Sequence, residues 1–155
     1  MKLSVMITPA NPQSIPEVVA LLSAQLQEHE IAVAEHALRD VVCAVLADSR
    51  HGFILVAEQR GRAVGIAYVA AHLSAEHGGT VGWLEELYVA PDQRGHGVGS
   101  ALLEALGQRV EQLDWRALEL EVVAGHERAV PLYVRHGFAA LDRARFSRIF
   151  PARLP

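Results

Sequence analysis

At 155 residues, 51% apolar and 21% charged, the chain can bury one substantial core but is too short for two full domains. A formal net charge of −4 argues against general nucleic-acid binding, and no apolar run is long enough for a leader core or a membrane span. The single cysteine, Cys43, excludes an internal disulfide and points to a reducing compartment, so a cytoplasmic protein with no membrane partner is expected.

Leu3, Val5 and Ile7 alternate as in a short strand, which Pro9 and Pro12 stop. Ser14 precedes Glu17 by three residues, the spacing of a capping box, and Pro16 suits a first helical turn. Ile15, Val18, Val19, Leu22 and Leu26 then share one helical face. A second helix is expected over 34–47, with Cys43 as a core thiol among Leu38, Val41, Val42 and Val45. Residues 53–57 read as a strand, Arg60-Gly61 as a hairpin turn and 63–71 as the partner strand, with a polar loop over 72–79.

A strand over 81–89 ends at Pro91, and 97–113 is helical by the spacing of Val98, Ala101, Leu102, Ala105 and Leu106. A strand over 118–123, a helix over 127–135 and two closing strands near 138–142 and 145–150 complete one domain, 1–155. This order mixes hairpins with crossover helices, which favours an α/β (α+β) mixed sheet with helices on its faces. Charge is uneven: residues 126–155 carry six basic and two acidic side chains, and the rest of the chain is acidic. An acidic body suits a cationic substrate and a basic end suits phosphate, although two differently solvated surfaces would look the same.

The most informative stretch is Arg94-Gly95-His96-Gly97-Val98-Gly99-Ser100. Three alternating glycines strip side chains from a strand-to-helix turn, so a ligand can approach the backbone. The helix start offers free amides and the positive end of its dipole to an anion. A Walker loop would need Gly-Lys-Ser/Thr, which is absent, and the dinucleotide pattern fails because its third glycine falls on Ser100 or Leu102. Eight histidines and one cysteine form no recognised metal motif, so no metal is expected.

The chain resembles the GNAT superfamily of acyl-CoA-dependent N-acetyltransferases. The resemblance rests on Arg94 to Gly99, on Glu86-Leu87-Tyr88-Val89-Ala90-Pro91 leading into it, and on Glu127-Arg128-Ala129, Leu132-Tyr133 and Gly137-Phe138 downstream. It implies a mixed, mostly antiparallel sheet of about seven strands with four helices on its faces. It further implies that the chain takes acetyl-CoA as its acyl-donor cosubstrate. By the same resemblance, Leu87, Tyr88 and Val89 hold the pantetheine arm by backbone, with the Val89 amide polarising the acetyl carbonyl. Arg94, Gly95, His96, Gly97, Val98, Gly99 and Ser100 hold the pyrophosphate. His126 occupies a position where the family has asparagine, a coenzyme or loop contact. Pro131 departs from the family in another way, since it falls inside the expected last helix.

Tyr133 occupies the place of the tyrosine that protonates the departing thiolate. Trp83-Leu84-Glu85-Glu86 is similar to the Leu-Glu-Asp stretch of polyamine acetyltransferases, which makes Glu85 the base and Glu86 a substrate contact or structural residue. Neighbours in a strand leave opposite faces, so only one of the two acids is expected to face the acceptor. Glu28 and Glu30, with Glu35 nearby, are expected to wall the acceptor site. The implied activity is direct acetyl transfer to the primary amine of a small cationic substrate: a polyamine, an aminoglycoside or an amino compound. The alternatives are acetylation of a protein lysine or N-terminus, and a non-catalytic acyl-CoA sensor. A homodimer through the later strands is compatible with the resemblance.

Overall fold

The computed structural model describes residues 4–152; Leu3 of the expected first strand lies outside them. Strands β1 (Met6–Pro9), β2 (Gly52–Gln59), β3 (Arg62–Ser74), β4 (Gly79–Val89) and β5 (Ala117–Glu119) alternate with helices α1 (Ile15–Glu28), α2 (Glu35–Ala47), α3 (Val98–Gln112) and α4 (Val130–Arg135). The strands form one sheet in the order β1-β2-β3-β4-β5, antiparallel throughout except for the parallel β4–β5 pair. Arg60 and Gly61 both take positive φ, 52° and 73°, the conformation a two-residue hairpin loop requires.

The alternation of β2 divides the core between two layers. Ile54 and Val56 face α1 and α2, where Val18, Val19, Leu22, Leu38 and Val42 are buried. Leu55 and Ala57 face α3 and its Val98, Leu102, Leu103 and Leu106. Period-2 strands sandwiched between period-3.6 helices produce this two-faced packing.

Several expectations are corrected. The cap before α1 forms three residues early: Asn11 Oδ1 accepts from the Gln13 and Ser14 N–H groups at 2.9 and 3.1 Å, and the Asn11 N–H donates to Ser14 Oγ at 2.9 Å. The chain already turns at Pro12–Ser14, so Glu17 is released to accept from the Ala63 N–H at 2.9 Å. Cys43 is exposed, because α2 turns Leu38, Val42 and Val45 inward and the next residue after Val42 points about 100° away. Pro131 delays the last helix: α4 begins at Val130, with the proline in its first turn, where the missing N–H costs little.

The sheet has five strands among the described residues, not about seven. β5 covers three residues rather than 118–123, and the stretches near 138–142 and 145–150 form no strand. A strand needs an edge to pair with, and β5 ends at Glu119. An unsupported hairpin is marginal in water, so Phe146, Ile149 and Phe150 remain 91%, 85% and 70% exposed.

Candidate functional site

The site is created by two irregularities in β4. Tyr68 pairs with Glu86 and Val69 with Leu84, so Glu85 is an extra residue, a β-bulge. β5 pairs with β4 only at Val81, Gly82 and Trp83. From Leu84 to Val89 one edge of β4 therefore has no strand neighbour, and a bulge bends and twists the strand that carries it. The two chain segments part there around a cleft of about 620 Å³.

The glycine turn lies at one end of this cleft. Gly95 and Gly97 have φ of 77° and 85°, values that side chains tolerate poorly. A Cβ at either would meet nothing within 4 Å, so the backbone faces open space. Gly97 starts α3 with no side-chain cap, which leaves first-turn amides for a ligand. Gly99 sits closer to its neighbours: a Cβ there would make ordinary contacts with Leu132 at 3.5 Å and Val89 at 3.9 Å. Val98 and Ser100 also line the cleft, and Ser100 Oγ shares a 2.7 Å hydrogen bond with His136 Nε2. His96 is exposed and is not among the lining residues.

Arg94 and Glu28, expected to serve different ligands, are bonded to each other. Arg94 Nη2 donates to both Glu28 oxygens at 2.7 and 2.9 Å, and Nε donates to the Val89 carbonyl at 2.9 Å. The guanidinium also lies 5.4 Å from the centre of the Tyr88 ring. His29 at the end of α1 stacks on His126 with centroids 4.5 Å apart, a second bridge between the walls. Glu30 and Glu35 do not line the cleft; Glu30 occupies a left-handed turn position, and Glu35 extends toward Arg39 at 4.0 Å.

At the other end, Glu85, Glu86 and Tyr133 line the same cleft, with Leu87, Tyr88 and Val89 between them and the glycine turn. Both acids are present because the bulge breaks the alternation that was expected to separate them. Burial raises the Glu85 carboxyl above its ordinary range, Arg145 opposes this and Glu121 adds to it. Burial also raises Glu86, a hydrogen bond from Gln25 opposes, and Glu85 adds. The Tyr133 hydroxyl is raised by burial and then by the charge of Glu86, so it holds its proton.

Sequence reasoning missed Gln25, Glu121 and Arg145, all of which line the cleft. The signal for Gln25 was a polar residue within the apolar stripe of α1. Glu121 Oε1 lies 2.6 Å from Arg145 Nη1, and the Arg145 guanidinium lies 4.6 Å from the centre of the Trp83 ring; nothing in the local pattern announces that meeting. Among the described residues, no three His, Cys, Asp or Glu side chains are grouped to hold a metal, and no helix is long and apolar enough to cross a membrane.

The chain matches the sequence profile of the Acetyltransferase (GNAT) family over residues 17–138. It is 33% identical over 91 residues to the mycothiol acetyltransferase of Propionibacterium freudenreichii subsp. shermanii, covering 59% of this chain and 28% of that protein. The chain thus spans under a third of that relative's length. Its fold is similar to an integron cassette protein from the mobile metagenome of Cole Harbour Salt Marsh, with a TM-score of 0.84, 26% identity and coverage of 95% and 91% of the two chains. It is also similar to an aminoglycoside N-acetyltransferase solved in complex with CoA, with a TM-score of 0.81 and coverage of 94% and 95%. At 19% identity, that second likeness is one of fold alone.

Proposed function

The chain belongs to the acetyltransferase (GNAT) family, a family of acyl-CoA-dependent N-acetyltransferases, and on that premise we propose that it moves an acetyl group from acetyl-CoA to the primary amine of a small cationic substrate by direct transfer. One observation carries the reading: a single cleft joins the uncapped glycine turn to two carboxylates and a protonated tyrosine. Its volume of about 620 Å³ lies within the usual range for small-molecule sites. The paired carboxylates Glu85 and Glu86 at the other end suit a cationic amine such as a polyamine or aminoglycoside.

The residues present fit acetyl-CoA. Open space over Gly95 and Gly97 and the first-turn amides of α3 suit a pyrophosphate, with Arg94 as the neighbouring cation. Ser100 and His126 line the same cleft, and the unpaired edge of β4 over Leu87, Tyr88 and Val89 suits the pantetheine arm. The bound coenzyme supplies the acetyl group as an activated thioester. In this reading Glu86 holds the substrate's cationic amine, and Glu85 takes its proton. The Val89 amide stabilises the carbonyl oxygen as the nitrogen–carbon bond forms. Tyr133 then gives its proton to sulfur as the carbon–sulfur bond breaks, the nitrogen sheds its second proton to solvent as the amide forms, and Tyr133 recovers one from solvent. A carboxyl whose proton affinity is raised by burial is a stronger base than an ordinary one, which suits the role of Glu85.

Thermal unfolding with acetyl-CoA, CoA and NAD in parallel tests the coenzyme. Both CoA species should stabilise the fold by about 2.7 kcal/mol at a hundredfold excess over Kd, and NAD should not. No shift with either CoA species would remove the reading. Thiol release from acetyl-CoA across a panel of monoamines, polyamines, aminoglycosides and a lysine peptide then identifies the acceptor. Binding without amine-dependent release would leave an acyl-CoA sensor.

A further inference from the structure

Helix α1 carries an apolar stripe, and Gln25 is set into it one turn beyond Leu22. At 8% exposure it is the one buried polar side chain among the described residues. A buried amide must be paired or its desolvation goes uncompensated. Gln25 finds its partner on a different element: Nε2 donates to Glu86 Oε2 on β4. This bond ties the helix over the cleft to one of the two carboxylates inside it.

We propose that Gln25 is a positioning residue of the acceptor site, pinning one oxygen of Glu86, holding that carboxylate charged and leaving Oε1 for the cationic amine. The proposal rests on reading the cleft as an amine site. The surroundings of Glu86 give the bond its weight. Glu85 stands beside it on β4, Tyr68 opposes it on β3, and Tyr133 approaches from α4. Farther along the cleft, Tyr88 and Glu28 meet Arg94. Of the four arginines that line the cleft, Arg94 is paired with Glu28 and Arg145 with Glu121, while Arg128 and Arg135, like every other cation among the described residues, make no ion pair with Glu86. Burial and the charge of Glu85 both favour its neutral form, and the amide of Gln25 opposes them.

A neutral donor of this length is what the position requires. Lysine would neutralise Glu86 and repel an incoming ammonium, asparagine would fall short, and leucine would fill the space without donating. Glutamate can imitate the amide only while it is protonated, since only then does it have a hydrogen to give. That difference provides a test that packing alone would not produce.

Gln25→Leu should raise the KM for the amine about tenfold, as the loss of one hydrogen bond to a charged group implies. The acid limb of kcat/KM should move to higher pH, because a carboxylate deprived of its donor holds a proton more tightly. The Kd for acetyl-CoA should not change. Gln25→Glu should approach wild-type behaviour at acid pH and lose it as pH rises, a trend opposite to that of the leucine variant. Carboxyl 13C NMR of the free protein, with Glu86 assigned through Glu86→Gln, should show its titration midpoint raised in Gln25→Leu. An unmoved Glu86 midpoint in that variant, or identical pH trends for the two variants, would overturn the proposal. The NMR measurement needs no acceptor, so a wild type that acetylates no amine sinks the amine reading while the titration still decides the Gln25–Glu86 link.

Discussion

The chain before residue 113 and the chain after it meet at the cleft but are built differently. Every buried apolar side chain among the described residues falls between Val18 and Val110. The later region contributes a three-residue strand and a six-residue helix, and Leu141, Phe146, Ile149 and Phe150 remain exposed. Two exposed or partly exposed ion pairs join it to the earlier chain, Glu119 to His77 and Arg143 to Glu76, and Glu121 pairs with Arg145 within it. Its apolar contacts are partly buried ones against the α3 layer, from Trp115, Leu118 and Leu120, from Leu132 and Tyr133 of α4, and from Phe138. The early region thus fixes the glycine turn and the paired acids on a fully buried core, while the later region closes the cleft with partly buried apolar contacts and with ion pairs that each stabilise little.

If the chemistry belongs to the early region, Glu85→Gln should give the largest effect. Removing a general base typically costs about 10²- to 10⁴-fold in turnover, read as kcat for thiol release with acetyl-CoA binding intact. A wild-type rate would move the base to another residue and blur the division between the regions. Leu102→Ala comes next. That side chain is fully buried, and its truncation should cost about 2–5 kcal/mol of unfolding free energy, whereas Ile149→Ala at an exposed position should stay within about 0.5 kcal/mol. Equal losses in the two variants, measured by denaturant unfolding, would mean that the later region is as well packed as the earlier one.

Gly97→Val separates binding from folding within the early region. Its Cβ would meet no neighbour, but a β-branched residue is strained at φ 85°, and its methyl groups would project into the coenzyme's approach. Affinity for acetyl-CoA should fall about a hundredfold, near 2.7 kcal/mol, by calorimetry. Unchanged affinity would refute the phosphate role of the turn.

A different division, between local and long-range information, explains what could be read from sequence. The helices α1 and α3, the Arg60-Gly61 hairpin and the glycine turn follow from periodicity and local backbone needs, which neighbouring residues carry. The Glu85 bulge was not legible, because register depends on which β3 residue opposes each β4 residue, and that information lies about twenty residues away. Cys43 was misplaced because Val41 and Val42 are both apolar, so the pattern did not determine which flank of α2 turns inward. The closing strands were over-read because alternation signals a strand only where an edge can receive it. Gln25 was passed over although its signal was present, because a polar residue in an apolar stripe reads as an imperfection until its partner is seen.

The smallest expected effect, that of Arg145→Ala, tests the comparison most finely. Arg145 and Glu121 are both more than two-fifths exposed, so removing the pair should change stability by no more than about 1 kcal/mol. Its influence on chemistry should exceed its influence on folding. The positive charge of Arg145 favours the charged form of Glu85, so its removal raises a carboxyl already lifted by burial. The deprotonated base is then lost at a higher pH as the solution is acidified. The acid limb of kcat/KM should accordingly shift upward, with little change on the alkaline side, where Glu85 is ionised in both proteins. Low salt should enlarge the shift and high salt shrink it, because an exposed charge acts through solvent. A variant that loses several kcal/mol of stability with an unmoved pH profile would reverse the argument, making the later region a structural element and leaving the acids indifferent to it.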